Sequence, residues 1–150
     1  MISRNMIIAL AIGLILLSGC TNDKINTAGN SSITGDATSD IQDDSGKVII
    51  YFFWGDGCPH CAHEKPFLEE LETKYSELEV KKFETWKSEE NAQLFQKMAN
   101  AYGFQARGVP TTFIGDKYWE GFAERMVKEM EAQVKKCIRE GCENPWFRLE

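Results

Sequence analysis

Two cysteines two residues apart, Cys58-Pro59-His60-Cys61, follow directly on an apolar run from Lys47 to Trp54. Gly55, Asp56 and Gly57 form the turn between run and pair, and Phe67, Leu68, Leu71, Tyr75 and Leu78 then recur at helical spacing. This pattern leaves the chain few options. A continuous apolar run bounded by a turn reads as a central strand covered on both faces. The turn then reverses the chain, and the Cys pair opens a helix predicted from Pro59 to about Glu77. In that context two thiols can close into a disulfide and open again, so the motif reads as redox-active.

The remaining pattern continues the alternation. Leu78 to Trp86 alternates as a strand does, and Phe95, Met98, Ala99 and Tyr102 mark a helix from about Glu89 that Gly103 stops. After Pro110, Thr111 to Ile114 reads as a strand, Gly115-Asp116 as a two-residue hairpin turn, and Lys117 to Glu120 as the returning strand. Ala123, Val127, Met130, Val134 and Ile138 give a last helix. The order β-α-β-α-β-β-α predicts an α/β fold, a mixed central sheet with helices on both faces.

The first 45 residues read differently. Arg4 precedes an uncharged run of 12 residues, Met6 to Leu17, too short for a membrane span of roughly 20 apolar residues. It ends in Leu17-Ser18-Gly19-Cys20, which resembles the lipobox of bacterial and some archaeal lipoproteins. The resemblance implies a signal peptide over residues 1–19, cleavage before Cys20 and lipidation of its sulfur. Two acyl chains make stable anchoring plausible, since each buried CH2 contributes ~0.8 kcal/mol and one chain alone is marginal. Residues 20–45 are rich in Asn, Thr, Ser, Asp and Gly, with Ile25, Ile33 and Ile41 as the larger aliphatics. They read as a flexible tether reaching roughly 25–30 Å, which leaves residues 46–150 as the folded domain. The expected location is a membrane-anchored lipoprotein facing the periplasm or cell exterior. The precursor carries a net charge of -6, and no basic stripe is present. That argues against nucleic acid as a partner.

Five cysteines is an odd number for an exported chain. Lipidation of Cys20 leaves two pairs, Cys58/Cys61 and Cys137/Cys142, in a compartment where disulfides persist. A straight helix would hold residues five apart out of reach of each other. A reversal at Gly141, with a left-handed residue closing the helix, could bring Cys142 back to Cys137 within ~4.4–6.8 Å between Cα atoms. A structural staple is the main reading of this pair. A second redox relay, free thiols or metal ligands stay open, although no aromatic-rich strand precedes it.

From Lys47 to Ile138 the chain resembles the thioredoxin superfamily. Trp54 lies four positions before the first motif Cys, Pro66 five after the second, and Arg107-Gly108-Val109-Pro110-Thr111 looks like the family's loop ending in a cis-proline. Two features depart from thioredoxin proper. The inner dipeptide is Pro59-His60, as in DsbA-type oxidoreductases. Phe52 stands six residues before Cys58, where thioredoxins carry a buried Asp. Only about 48 residues separate Cys61 from Pro110, so the inserted helical domain of DsbA-type proteins does not fit. The resemblance implies a minimal thioredoxin-like head with a DsbA-like motif.

It also assigns roles. Cys58 is the expected nucleophile and Cys61 the resolving thiol. Pro110, if cis, holds the Val109 backbone against the site, where an extended substrate can pair. A free Cys is only ~3% ionised at pH 7, and half-ionisation needs ~2 kcal/mol. A helix N-terminus can supply ~1–2 kcal/mol, and His60 can supply the rest by hydrogen bond or charge. Stabilising the thiolate makes the disulfide a better oxidant, so the potential is expected between those of thioredoxin and DsbA. His60 is expected to tune rather than to move protons. His63 reads as an exposed helix residue, and Glu64 as a secondary candidate for a proton relay.

The expected activity is thiol–disulfide exchange on exported proteins, with no cofactor beyond the redox-active disulfide and no resident metal. The lipid anchor implies a membrane electron-transfer protein as the recycling partner. The alternative is a tethered copper or zinc binding protein using Cys58, Cys61, His60 and His63, all suitable ligand types. A third reading is a redox-inert interaction module, against which the intact Cys pair and Val109-Pro110 argue.

Overall fold

The computed structural model describes residues 46–149. The predicted signal segment, Cys20 and the tether up to residue 45 lie outside these. Strand β1 (Val48–Trp54) is followed by helix α1 (Pro59–Lys74), β2 (Leu78–Glu84), α2 (Glu89–Ala101), β3 (Thr111–Ile114), β4 (Lys117–Glu120) and α3 (Glu124–Glu140). The sheet order is β2-β1-β3-β4. β1 runs parallel to β2 and antiparallel to β3, and β3 runs antiparallel to β4. This is the predicted element order, a mixed sheet with a thioredoxin-like course.

β1 is central because its side chains on both faces are apolar. Ile49 through Phe53 are all buried, and the two-residue period of a strand divides them. Ile50 and Phe52 join Leu68 and Leu71 of α1 and Met130 and Val134 of α3 in one cluster. Ile49, Tyr51 and Phe53 join Phe95, Met98 and Ala99 of α2 in the other. Each fully buried Leu, Ile or Phe contributes ~1.5–3 kcal/mol, so neither face can be left uncovered. Phe53 alone stacks on Phe83 and Phe95 at 5.2 and 4.9 Å between centroids.

Three boundaries differ from expectation. α1 ends at Lys74, not near Glu77, and Tyr75 is already extended. The reason is competition from the sheet. The Glu77 carbonyl accepts from Val48 N–H at 2.8 Å, so this stretch feeds β2 beside β1. β2 stops at Glu84 rather than Trp86. The Glu84 carboxylate there accepts the backbone N–H groups of Asp56, Trp86 and Lys87 and bends the chain out of the sheet. Gly141 has the expected positive φ of 75°, but its ψ of 139° is extended and not left-handed helical. The reversal works nonetheless, and Cys137 and Cys142 are bonded, with Cα atoms 4.8 Å apart.

One element went unforeseen, a 3-10 turn at Pro145–Leu149. Trp146 stacks on Tyr51 at 6.3 Å and Arg148 lies over the Tyr102 ring at 4.7 Å. It caps the α2 face of the sheet. Among the described residues no helix is long and apolar enough to cross a membrane.

Candidate active site

The turn after β1 delivers Cys58 to the first position of α1. Cys58 is the N-cap, with extended φ/ψ of −72° and 117°, and Pro59 occupies the first helical turn. Proline suits that place because its missing N–H would have had no helical partner. The Cys58 sulfur accepts the Cys61 N–H at 3.2 Å. This is a thiol in the capping role that Ser or Asp usually takes, and it puts sulfur at the positive end of the helix. Cys58 and Cys61 form a disulfide with Cα atoms 5.3 Å apart. Both are buried, Cys58 at 6% and Cys61 at 1% exposure. The difference between them is smaller than the motif alone suggests, because Val109 closes over the first sulfur.

The opposite wall is the segment before β3. The Val109–Pro110 peptide bond is cis, and the Val109 carbonyl oxygen lies 3.6 Å from the Cys58 sulfur. Pro110 is buried, while Arg107 and Gly108 are exposed. The Thr111 hydroxyl donates to the Gly108 carbonyl at 2.9 Å and closes this loop. Residues 51 positions apart in sequence thus meet because β1 and β3 are neighbours, with Phe52 opposite Thr112 and Phe53 opposite Thr111.

A cavity of about 270 Å³ opens beside the pair, lined by Trp54, Gly55, Pro59 and Lys65 among others. The Lys65 ammonium sits over the Trp54 ring, 3.1 Å from its centroid, and places a positive charge at the cavity. His60 and His63 are both exposed, as expected for His63. Among the described residues no three His, Cys, Asp or Glu side chains come together in a way that could hold a metal ion.

Three residues escaped the sequence reading. Glu84 holds the turn before Cys58 through the Asp56 N–H at 3.1 Å. Trp86, 60% exposed, lies flat against Gly55, where any Cβ would collide with the indole. Lys87 pairs with Asp56 across the same gap. Their signal was weak, since the end of a strand and the polar residues after it specify no contact until β2 lies beside β1. Glu64 reads from the sequence as a secondary candidate only, because nothing local marks it as buried. It is 1% exposed, and it accepts the Thr112 hydroxyl at 2.5 Å. Burial pushes its carboxyl up to about 7, against a smaller lowering by the Thr112 bond.

A four-stranded mixed sheet, helices on both faces, a Cys pair capping α1 and a cis-proline facing it define a thioredoxin-like redox protein, in general terms a thiol–disulfide oxidoreductase. The glutaredoxin family model matches residues 48–119, from β1 through most of β4. No curated protein matches the chain. Among solved structures, the chain is similar to a Schistosoma mansoni thioredoxin pre-protein (22% identity, 68% of this chain and 90% of that one, TM-score 0.47). It is also similar to a glutaredoxin from Archaeoglobus fulgidus (22%, 58% and 89%, TM-score 0.44). A third is a Chlorobium tepidum protein described as a thiol:disulfide interchange protein of the DsbE kind (19%, 62% and 81%, TM-score 0.49).

Proposed function

We propose that this chain exchanges disulfides with exported proteins from a lipid anchor at Cys20. Cys58 attacks or is attacked, a mixed disulfide forms at its sulfur, and Cys61 resolves it. The observation that carries the reading is the Cys58 sulfur itself. It caps α1, accepts the Cys61 N–H at 3.2 Å and lies beside the Val109 carbonyl. An N-cap position stabilises a thiolate, and the backbone at Val109 offers an extended substrate an edge next to that thiolate. Pro59 and His60 tune the pair, and Cys137–Cys142 serves as the structural bond. A membrane electron-transfer protein in the same plane recycles the site.

The test is a Cys61→Ala variant of the full chain, expressed with its own leader. It should accumulate mixed disulfides with exported thiol proteins that dithiothreitol dissolves and that a Cys58→Ala/Cys61→Ala protein lacks. Absence of any such adduct would overturn the proposal.

A further inference from the structure

A positive charge stands at the mouth of the site in a chain that is acidic as a whole. The net charge is -6, yet Lys65 lines the cavity of about 270 Å³ beside Cys58. Lys65 lies about two turns after Cys58 on the same face of α1. Its side chain reaches over Trp54, with the ammonium 3.1 Å from the ring centroid. A lysine loose in water spreads over many rotamers, and the indole face holds this one in place.

The carboxylates around it are committed elsewhere. Asp56 lines the same cavity, but its carboxylate is bonded to Lys87 and feels Lys65 only as a weaker attraction at longer range. Glu84 gives its oxygens to the backbone N–H groups of Asp56, Trp86 and Lys87. Among the described residues no carboxylate lies within ion-pair distance of Lys65. On the opposite wall the exposed Arg107 stands two residues before Val109. Glu120 is opposite Thr111 on β4, two strands away from β1. The cationic end of the site is therefore the end that β1 and α1 form. Its outer rim is apolar, because Trp86 lies flat against Gly55 and is 60% exposed.

A polypeptide whose cysteine has reached Cys58 brings the residues flanking that cysteine over these groups, since an extended chain advances only about 3.3 Å per residue. A flanking glutamate fits them. Its carboxylate meets the Lys65 ammonium and its methylenes meet the Trp86 indole. A flanking lysine meets a like charge instead. We propose that the cavity at Trp54, Gly55 and Lys65 is a specificity site that selects partner polypeptides carrying an acidic side chain next to the reacting cysteine. This rests on the exchange reading above and adds to it the chemistry of the partner. Lys65 touches the partner's side chain and takes no part in the bond exchange. Its attraction also acts before contact, so it speeds encounter and weakens with salt.

The test uses three cysteine peptides, identical except for glutamate, glutamine or lysine on both sides of the cysteine. Each is blocked as a mixed disulfide with thionitrobenzoate. In the Cys61→Ala full chain, kept in a nonionic detergent, the Cys58 thiolate attacks the peptide sulfur. The bond from Cys58 to the peptide forms, the bond to thionitrobenzoate breaks, and thionitrobenzoate leaves with the electron pair. Each rate is divided by that of the same peptide with 2-mercaptoethanol, an uncharged thiol, which removes differences in intrinsic reactivity. At low salt the glutamate peptide should react about fivefold faster than the glutamine peptide, and the lysine peptide about fivefold slower. High salt should draw the three together. Added to this chain, Lys65→Met should remove most of the spread, Lys65→Glu should invert the order, and Lys65→Arg should keep it. The ratios are taken within one protein, so the folded fraction cancels. Equal rates for the three peptides without a Lys65 substitution overturn the proposal. So does a Lys65→Met or Lys65→Glu chain that slows all three by one common factor and keeps their order, because Lys65 would then act on Cys58 alone. Release no faster than from a Cys58→Ala/Cys61→Ala chain, for every peptide, overturns the exchange reading and the proposal with it.

Discussion

Glu64 shows what one buried acid does to the energetics of a small core. Its carboxyl titrates at about 7 inside the fold because burial disfavours the charge, against an ordinary value near 4.5 in an unfolded chain. The folded state therefore binds the proton more tightly. Stability falls as pH rises from about 4.5 to 7, and above that window the full cost is present. Glu64→Gln keeps the shape and removes the charge. Urea unfolding should find it more stable than the wild type at pH 8 by roughly 1–3 kcal/mol, with the gain disappearing below pH 4.5. A variant of equal stability at both pH values would mean that Glu64 is not a buried charge at neutrality.

At the scale of elements, helices α1 and α3 are joined at one end by Glu131. Its carboxylate accepts from Lys74 and from the Tyr75 hydroxyl, each at 2.7 Å, and pairs with Lys135 at 3.2 Å. Those three partners hold Glu131 down at about 2. Here the sign is opposite to that of Glu64. The contribution is present above the ordinary carboxylate range and is lost as pH falls towards 2. Both lysines are half exposed, so solvent screens much of the attraction. Glu131→Gln should cost about 1 kcal/mol at pH 7 and nothing near pH 2, as read by thermal or urea unfolding. The same contact adds to the pull of the sheet in ending α1 at Lys74, since the hydroxyl of Tyr75 reaches Glu131 of α3. Helical periodicity carried the predicted helix onward to Glu77, because it registers the apolar spacing of Leu71, Tyr75 and Leu78 but not the partner that Tyr75 finds.

Across the whole molecule, Cys137–Cys142 ties the end of α3 to the segment just after it and packs against the β3–β4 hairpin. A Cβ built at Gly115 would lie 2.9 Å from the Cys137 sulfur, so the disulfide rests directly on the turn. Gln133 and the Tyr102 hydroxyl hold the same turn through the carbonyls of Ile114 and Gly115. β3 also carries Thr111 and Thr112, so the far end of the staple supports the strand that presents Pro110. Replacing both cysteines by serine should lower stability by about 2 kcal/mol, the loop-closure value for so short a loop. The rate of exchange at Cys58 should be unchanged. If that rate fell in step with reduction of Cys137–Cys142, the second pair would be a redox relay and not a staple.

The local signals were legible in the chain itself. An apolar run, a glycine turn and a CxxC with proline behind its first Cys specify a strand feeding a helix, and strand–helix alternation specifies the mixed sheet. Cys58 and Cys61 could be named because motif spacing is local information, and Pro110 because Val109-Pro110-Thr111 resembles the cis-proline loop of the thioredoxin superfamily. The tertiary structure decided what depends on neighbours distant in sequence. Glu64 looks like an ordinary helix acid until β3 brings Thr112 over it and the packed chain leaves it 1% exposed. Glu84 and Trp86 look like the end of an ordinary strand until the parallel pairing of β2 with β1 sets them against the turn before Cys58. Burial and hydrogen-bond partnership are properties of the packed chain, and they alone turned a surface-type residue into the one buried acid among the described residues.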